Sequence, residues 1–233
     1  PLNIFAFLDG DSVRTHTRMD AGIIPWWTLE NVRLSFWRPL SAISHWVDYA
    51  LWPNSAALMH IQNLIWLGAL VSVVTILYRR YMGITWVTGL AALFFAIDDA
   101  HGLPAGWVAN RNALITSFFG VLVLLVHDKW RRENWRYGAL FSPAVFLIGL
   151  LSGESTLAVI GYLVAYSIFL DSGSWRRRVM VLLPYAVVAS VWLILYNQLG
   201  YGTWGTGFYS DPLSEPFAYV RAILERAPLL LMD

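Results

Sequence analysis

The chain contains no cysteine, which excludes a disulfide framework and any thiolate metal centre. Charge is scarce as well: 13% of the 233 residues are Asp, Glu, Lys or Arg, against about 25% in soluble domains. The formal net charge is only +1, which excludes a nucleic-acid surface, because neutralising phosphates takes clustered Lys and Arg. Repeats at solenoid period and low-complexity runs are absent too, so arrays and flexible linkers drop out. What is abundant is apolar surface. Hydrophobic residues make up 58% of the chain and mean hydropathy is +0.54, whereas a soluble domain is about 45–50% apolar. The expected partner is the lipid bilayer. Many of the 13 Trp and 11 Tyr residues flank apolar runs, as rings with an apolar body and a polar edge do where bilayer meets water.

A helix needs about 20 apolar residues to cross the hydrocarbon core. Six stretches approach that length, at 57–78, 84–97, 112–126, 137–151, 155–170 and 179–198. The sequence therefore predicts an all-α, multi-pass integral membrane protein. A bundle of about six transmembrane helices fills 57–198, preceded by a long first loop over 1–56 and followed by a loop over 199–233. The links alternate in charge: Arg79-Arg80, then Arg111 alone, then Lys129, Arg131, Arg132 and Arg136, then Gly153-Glu154 without a cation, then Arg176-Arg177-Arg178. Lys and Arg of short loops stay cytoplasmic, so the clusters at 79, 129 and 176 are expected inside. The first loop, the loop around His101 and the segment after Leu199 are expected outside. Within the first loop, 40–51 reads as a short amphipathic helix near the interface, ended by Trp52-Pro53-Asn54. A second helix is expected over 217–226. The chain begins at Pro1 and stops in an apolar run, so it reads as a fragment with a transmembrane helix upstream to insert the first loop.

Several polar groups stand at the outer ends of the apolar runs. Asp9-Gly10-Asp11 follows the run 4–8, a placement suited to a base or a metal ligand, since a carboxylate at a membrane edge is costly without a partner. A polar turn closing a helix carries equal weight. Asp98, Asp99 and His101 end the second run and can offer oxygen and imidazole ligands to a hard divalent cation such as Mg²⁺ or Mn²⁺. A hydrated loop is the plainer alternative. Arg38 and Arg111 are cations at the outer boundary, fit to hold a phosphate bidentately or to snorkel to headgroups. Glu154, in a very short turn, can cap a helix or complete a polar site. His60 and Asn63 share a helix face by their spacing, where interhelical hydrogen bonding is commoner than ligation.

The order of these segments resembles the GT-C glycosyltransferases: an acidic loop, Arg38-Pro39-Leu40 with Asp48-Tyr49 after it, His60 with Asn63, Trp107 to Arg111, Ser152 to Glu154, then Leu182-Leu183-Pro184-Tyr185. It is most similar to the multispan part of protein O-mannosyltransferases and TMTC-like proteins, including bacterial relatives with tetratricopeptide tails. The resemblance covers about Asp9 to Pro184. It implies a GT-C-like bundle and an inverting transferase that moves a sugar from a polyprenyl- or dolichyl-phosphate donor to a protein or glycan acceptor on the outer face. The membrane would be the bacterial inner membrane, or that of the endoplasmic reticulum in a eukaryote. Carried over by motif, Asp9 and Asp11 match the acidic motif, Arg38 the Arg of the Arg-Pro-Leu element, Arg111 the Arg that follows the Trp, and Glu154 the acid of a Ser-Lys-Glu element. The chain departs from the family at Asp98-Asp99-Ala100-His101, where relatives carry His-Pro-x-His, at Gly153 in place of Lys, and at Ala113 in place of an acid.

In this scheme Asp9 or Asp11 deprotonates the acceptor hydroxyl in a single displacement while cations stabilise the departing phosphate. Two other readings are a transporter or channel and an inactive GT-C-like structural protein. Transporters place ionisable groups near mid-membrane on interrupted helices, whereas here the acids gather at the ends of the runs.

Overall fold

A computed structural model describes residues 4–206 and 216–232, and the fold is mostly helical (74%). In chain order the first elements are β1 (Ala6–Asp9), α1 (Ser12–Asp20), β2 (Arg33–Ser35), α2 (Pro39–Leu51), α3 (Ala56–Met82) and α4 (Trp86–Ile97). Then come α5 (Gly102–Gly106), α6 (Arg111–Arg132), α7 (Gly138–Ser152), α8 (Val159–Phe169), α9 (Trp175–Met180) and α10 (Leu183–Gln198). The last elements are β3 (Gly202–Trp204) and α11 (Pro216–Met232). Short 3-10 turns at Asp99–His101, Val108–Asn110 and Glu154–Ala158 lead into helices.

The chain divides into two compact units. The larger takes Trp37–Gln198 with Phe5, and the smaller takes Ala6–Phe36 with the described residues from Leu199 onward. This differs from the expected boundary after residue 56, because α2 packs on α6 and α7 and so belongs to the bundle. In the smaller unit β1, β2 and β3 form an antiparallel sheet in that order. Arg33 of β2 lies opposite Asp9 on one side and Trp204 on the other. The two expected outer loops are thus joined through their backbones, a pairing that no hydrophobic period in either loop announces.

Three helical stretches are long and apolar enough to cross a membrane: Ala56–Met82, Val108–Arg132 and Trp175–Gln198. The remaining apolar helices, Trp86–Ile97, Gly138–Ser152 and Glu154–Phe169, are shorter. The 12 residues of α4 extend only about 18 Å at about 1.5 Å per residue, against a hydrocarbon core of about 30 Å. Six full-length spans are therefore not what the helix lengths give.

Each long helix starts and stops where its chemistry allows. Ser55 caps α3 by accepting from the backbone N–H of Leu58, and Arg79 and Arg80 sit in its last turn, complementing the carbonyl end of the dipole. Helix α6 is central. Its Leu114 joins Leu70, Val73 and Val74 of α3 in a buried cluster, with Trp66 of α3 edge-on to Phe118 of α6 at 5.6 Å. The helices also carry exposed Ile65, Val187, Val191 and Ile194, so burial cannot be the whole driving force. In lipid, close packing through small residues and interhelical hydrogen bonds do that work. Gly149 of α7 is one such contact, since a Cβ there would stand 2.6 Å from Thr156 Cγ2.

Candidate functional site

The amphipathic helix expected over 40–51 is present as α2, but its polar face is turned toward the protein. Ser41, Ser44, His45 and Asp48 are buried, while Ile43, Trp46, Tyr49 and Leu51 are exposed. Pro39 sits in its first turn, where a missing N–H costs nothing. The spacing of Ser41, Ser44 or His45, and Asp48 is that of one helix face, a signal in the sequence that was there to be read as an inward polar stripe.

That stripe meets Arg111. The guanidinium is fully buried, and every nitrogen is committed: Nε donates to Asn63 Oδ1 at 2.5 Å, Nη1 to Ser44 Oγ at 2.9 Å and Gln62 Oε1 at 3.0 Å, and Nη2 to the Met59 carbonyl at 2.9 Å. Asp48 Oδ2 lies 2.6 Å from Nη2, off hydrogen-bond alignment, so charge holds the pair. Asp48 Oδ1 accepts from Trp52 Nε1 at 3.2 Å. Asn63 completes the knot by donating to the carbonyls of Pro104 and Ala105 at 3.3 and 3.1 Å. The expectation that Arg111 holds a donor phosphate is corrected here: from the start of α6 its donors already serve α2 and α3. Asp48, given no role from the sequence, is its counter-ion. Asn63 belongs to this knot, whereas His60 is exposed and does not converge with it.

His45, beside Phe5 at 5.8 Å between ring centroids, is buried with Nε2 unbonded. Burial and then the Arg111 charge hold its imidazole below its ordinary pKa, against a smaller opposing pull from Asp48.

A second polar group gathers at the same end of the larger unit. Arg38 Nε donates to Glu154 Oε2 at 2.8 Å, and Tyr196 Oη donates to Glu154 Oε1 at 3.3 Å. The Arg38 guanidinium lies over the Phe5 ring at 5.4 Å, and Nη1 reaches the Asn112 side-chain oxygen at 3.3 Å in the amide orientation that satisfies both groups. Trp37 stacks on Trp192 with centroids 6.5 Å apart. Unlike Arg111, Arg38 and Glu154 keep contact with solvent, at 17% and 24% side-chain exposure. Gly153 is sterically constrained: a Cβ there would stand 2.8 Å from Thr116 Cγ2, so a larger side chain has no room without a shift of Thr116.

From this group a line of polar side chains leads into the bundle. Thr116 Oγ1 donates to the Asn112 carbonyl at 2.8 Å, and Ser155 Oγ donates to Thr116 Oγ1 at 3.1 Å. Thr116 and Ser155 then line the polar end of a furrow of about 520 Å³ between α3, α6 and α8, otherwise walled by residues such as Leu70, Leu114, Val121 and Tyr162. Thr156 also lines the furrow, its Oγ1 buried and without a hydrogen bond among the described residues. The volume is that of a small-ligand pocket.

Asp98, Asp99 and His101 do not form the expected cation site. Asp98 Oδ1 caps the following turn through the Ala100 N–H at 2.9 Å, and His101 Nε2 is bonded to the Phe95 carbonyl at 2.7 Å, its ring edge-on to Phe95. Among the described residues no group of three or more His, Asp or Glu side chains is placed to hold a metal. The residues at this turn do not fit a bound Mg²⁺ or Mn²⁺.

In the smaller unit, Asp11 is the N-cap of α1, with Oδ1 accepting from the N–H of Val13 at 2.9 Å and of Arg14 at 3.3 Å, and Oδ2 facing Arg14 Nε at 3.0 Å. The hydrogen bonds from the Arg14 side chain and backbone outweigh desolvation and hold its carboxyl below the usual range. Asp9, at the end of β1, places Oδ2 2.6 Å from Arg14 Nη1 while Oδ1 accepts only from the Asp11 N–H at 3.2 Å. Asp11 is thus spent on the cap and on Arg14, whereas Asp9 Oδ1 accepts a single backbone N–H among the described residues, which leaves Asp9 the acid with the freer oxygen.

Comparison of the chain with protein-family models, with curated proteins and with solved structures gives no match.

Proposed function

We propose that the chain is the membrane part of an inverting, GT-C-like glycosyltransferase that draws on a polyprenyl-phosphate-linked sugar at the outer face. The observation that carries this reading is the apolar furrow whose polar end runs through Ser155, Thr116 and Asn112 to the Arg38–Glu154 pair. A carrier lipid has the same two halves, a long apolar chain and a phosphate. The furrow takes the chain and Arg38 takes the phosphate, exchanging part of its bond to Glu154 for a charge-assisted bond to the ligand. Arg111 acts at a distance by fixing α2, and through α2 the position of Arg38. The role of general base, which takes the proton of the attacking acceptor hydroxyl, goes to Asp9 on the resemblance of the acidic first-loop motif alone. In this reading the shorter apolar helices also cross, the protein is multi-pass, and the Arg38 end is extracytoplasmic, as the positions of the Arg clusters require.

The test is binding and transfer with a polyprenyl-phosphate sugar in nanodiscs. Arg38→Ala and the furrow-filling Ser117→Trp should each weaken donor binding about tenfold or more, with the fold intact by thermal unfolding. Unchanged binding in both variants would sink the proposal. Tight binding without sugar release in the wild type would identify an inactive relative of the same fold.

A further inference from the structure

The other end of the larger unit is a different chemical environment. The segments 79–82, 127–136 and 171–178 bring nine Arg and Lys residues together with three acids. The acids are all committed: Asp128 to Arg80 and to Arg132 at 2.9 Å, Asp171 to Arg131 at 2.6 Å, and Glu133 to Arg80 at 2.8 Å. Arg178 is spent on the carbonyls of Gly173 and Ile168 at 2.8 and 3.1 Å. Arg177 is exposed and has no hydrogen bond or ion pair among the described residues.

Arg177 lines a polar pocket of about 350 Å³ together with Arg131, Arg132, Asn134 and Asp171. Asp171 is the single acid there, and it is turned to Arg131 by two hydrogen bonds, at 2.6 and 3.1 Å. Burial alone would raise the Asp171 pKa. The Arg131 and Gly173 hydrogen bonds and the Arg131 and Arg178 charges reverse that, so the carboxylate stays ionised and the pair stays closed. Gly173 sits tight against it: a Cβ there would stand 3.0 Å from Asp171 Oδ1 and 3.1 Å from Arg131 Nη2. Arg132 is held through Nε by Asp128 at 2.9 Å, so the uncompensated positive charge at the pocket is that of Arg177, with the partly exposed Arg132 guanidinium beside it.

Directly behind the polar pocket is an apolar groove of about 360 Å³ walled by Leu77, Leu124, Ala165 and Phe169, and the two share Tyr166 and Leu170. Tyr166 forms the divide, its hydroxyl anchored to Asp128 Oδ1 at 2.9 Å. A cationic pocket beside an apolar groove, with Tyr166 and Leu170 lining both, matches one molecule in both halves. We infer that this end binds an anionic glycerophospholipid of the cytoplasmic leaflet, its phosphodiester on Arg132 and Arg177 and one acyl chain in the groove. A free phosphoester would satisfy the cations and leave the adjoining groove without an occupant, and a zwitterionic lipid would bring a second cation into a pocket already positive. Basic pockets between helices on the cytoplasmic side are suited to such headgroups. The inference uses the orientation set by the Arg clusters and does not depend on the transferase reading.

The experiment exposes the purified full chain in detergent to equimolar dioleoyl phosphatidylglycerol and dioleoyl phosphatidylcholine, washes it, and quantifies the lipid retained. Phosphatidylglycerol should be retained preferentially, and Arg177→Gln should weaken its retention about fivefold, equivalent to the about 1 kcal/mol an Arg contributes at an anionic lipid surface. Thermal unfolding of Arg177→Gln in phosphatidylcholine should be unchanged, since that side chain holds no bond. Ala165→Trp, which fills the groove, should lower retention while leaving Arg177 in place. Equal retention of the two lipids by the wild type would overturn the proposal. Complete displacement of phosphatidylglycerol by millimolar glycerol phosphate, with no effect of Ala165→Trp, would overturn the lipid as source and leave a site for a free phosphoester.

Discussion

Arg111 and Asp48 stand 2.6 Å apart with side chains 0% and 1% exposed, joining the start of α6 to the inward face of α2. An ion pair so enclosed is a poor place for an exchangeable ligand and a good place for a structural joint, because losing one partner strands a charge without water.

Arg111→Ala and Asp48→Asn should therefore each cost about 3–5 kcal/mol of stability, read as a lower thermal midpoint and faster proteolysis in detergent. Replacing both, as Arg111→Met with Asp48→Leu, should recover much of the loss, since no charge is then left unpaired. If Arg111→Ala kept full stability and lost only donor affinity, the residue would be a ligand clamp after all.

The two first-loop acids should separate by readout. Asp11→Asn keeps the N-cap, since Asn caps as well as Asp, and loses only the charge that pairs with Arg14, so it should lower the thermal midpoint slightly and leave transfer unchanged, while Asp9→Asn should lower transfer about 10²-fold or more with little effect on donor binding. The reverse assignment of losses would make Asp11 the base.

Gly153→Ala should destabilise by about 1–3 kcal/mol, as overpacking does, because its Cβ would press on Thr116 Cγ2 at 2.8 Å. Arg38 should stay in place, because its Nε lies 3.8 Å from that Cβ position, an ordinary van der Waals contact. Equal stability of wild type and variant would mean that Thr116 moves aside freely.

Acidification should weaken the fold through His45. Burial holds its folded pKa below the ordinary 6.5, so the unfolded chain takes up the proton first. The native state keeps its full stability above about 6.5 and loses it progressively as pH falls from there toward the folded pKa. His45→Phe should flatten the curve in that window, measured as thermal midpoint against pH. A wild-type midpoint that stays level between pH 7 and 5 would show that the ring is protonated without cost.

Orientation can be read in a chain with no cysteine of its own. Single cysteines at Ser174 and Thr203 should react with a membrane-impermeant reagent from opposite sides. Reaction of both from one side would overturn the arrangement on which the outer and inner ends are assigned.

The sequence by itself determined the helical class, the location of the apolar segments and the two ends of α2, because apolar run length, proline placement and cap chemistry are local properties. Ser41, Ser44, His45 and Asp48 were legible as a stripe, but their direction was not, since a polar face can meet water or an interior partner equally well. That partner, Arg111, lies far along the chain, and only tertiary packing could spend its guanidinium on Asp48 and Asn63 rather than on a ligand. The same holds for Arg38, whose bond to Glu154 spans 116 positions, and for the sheet that joins β1 and β2 to β3. Gly153 was visible as a letter, and the need for a glycine there became explicable only through Thr116. Such contacts are fixed by shape and by the need to satisfy buried charge, and neither leaves a period in the sequence.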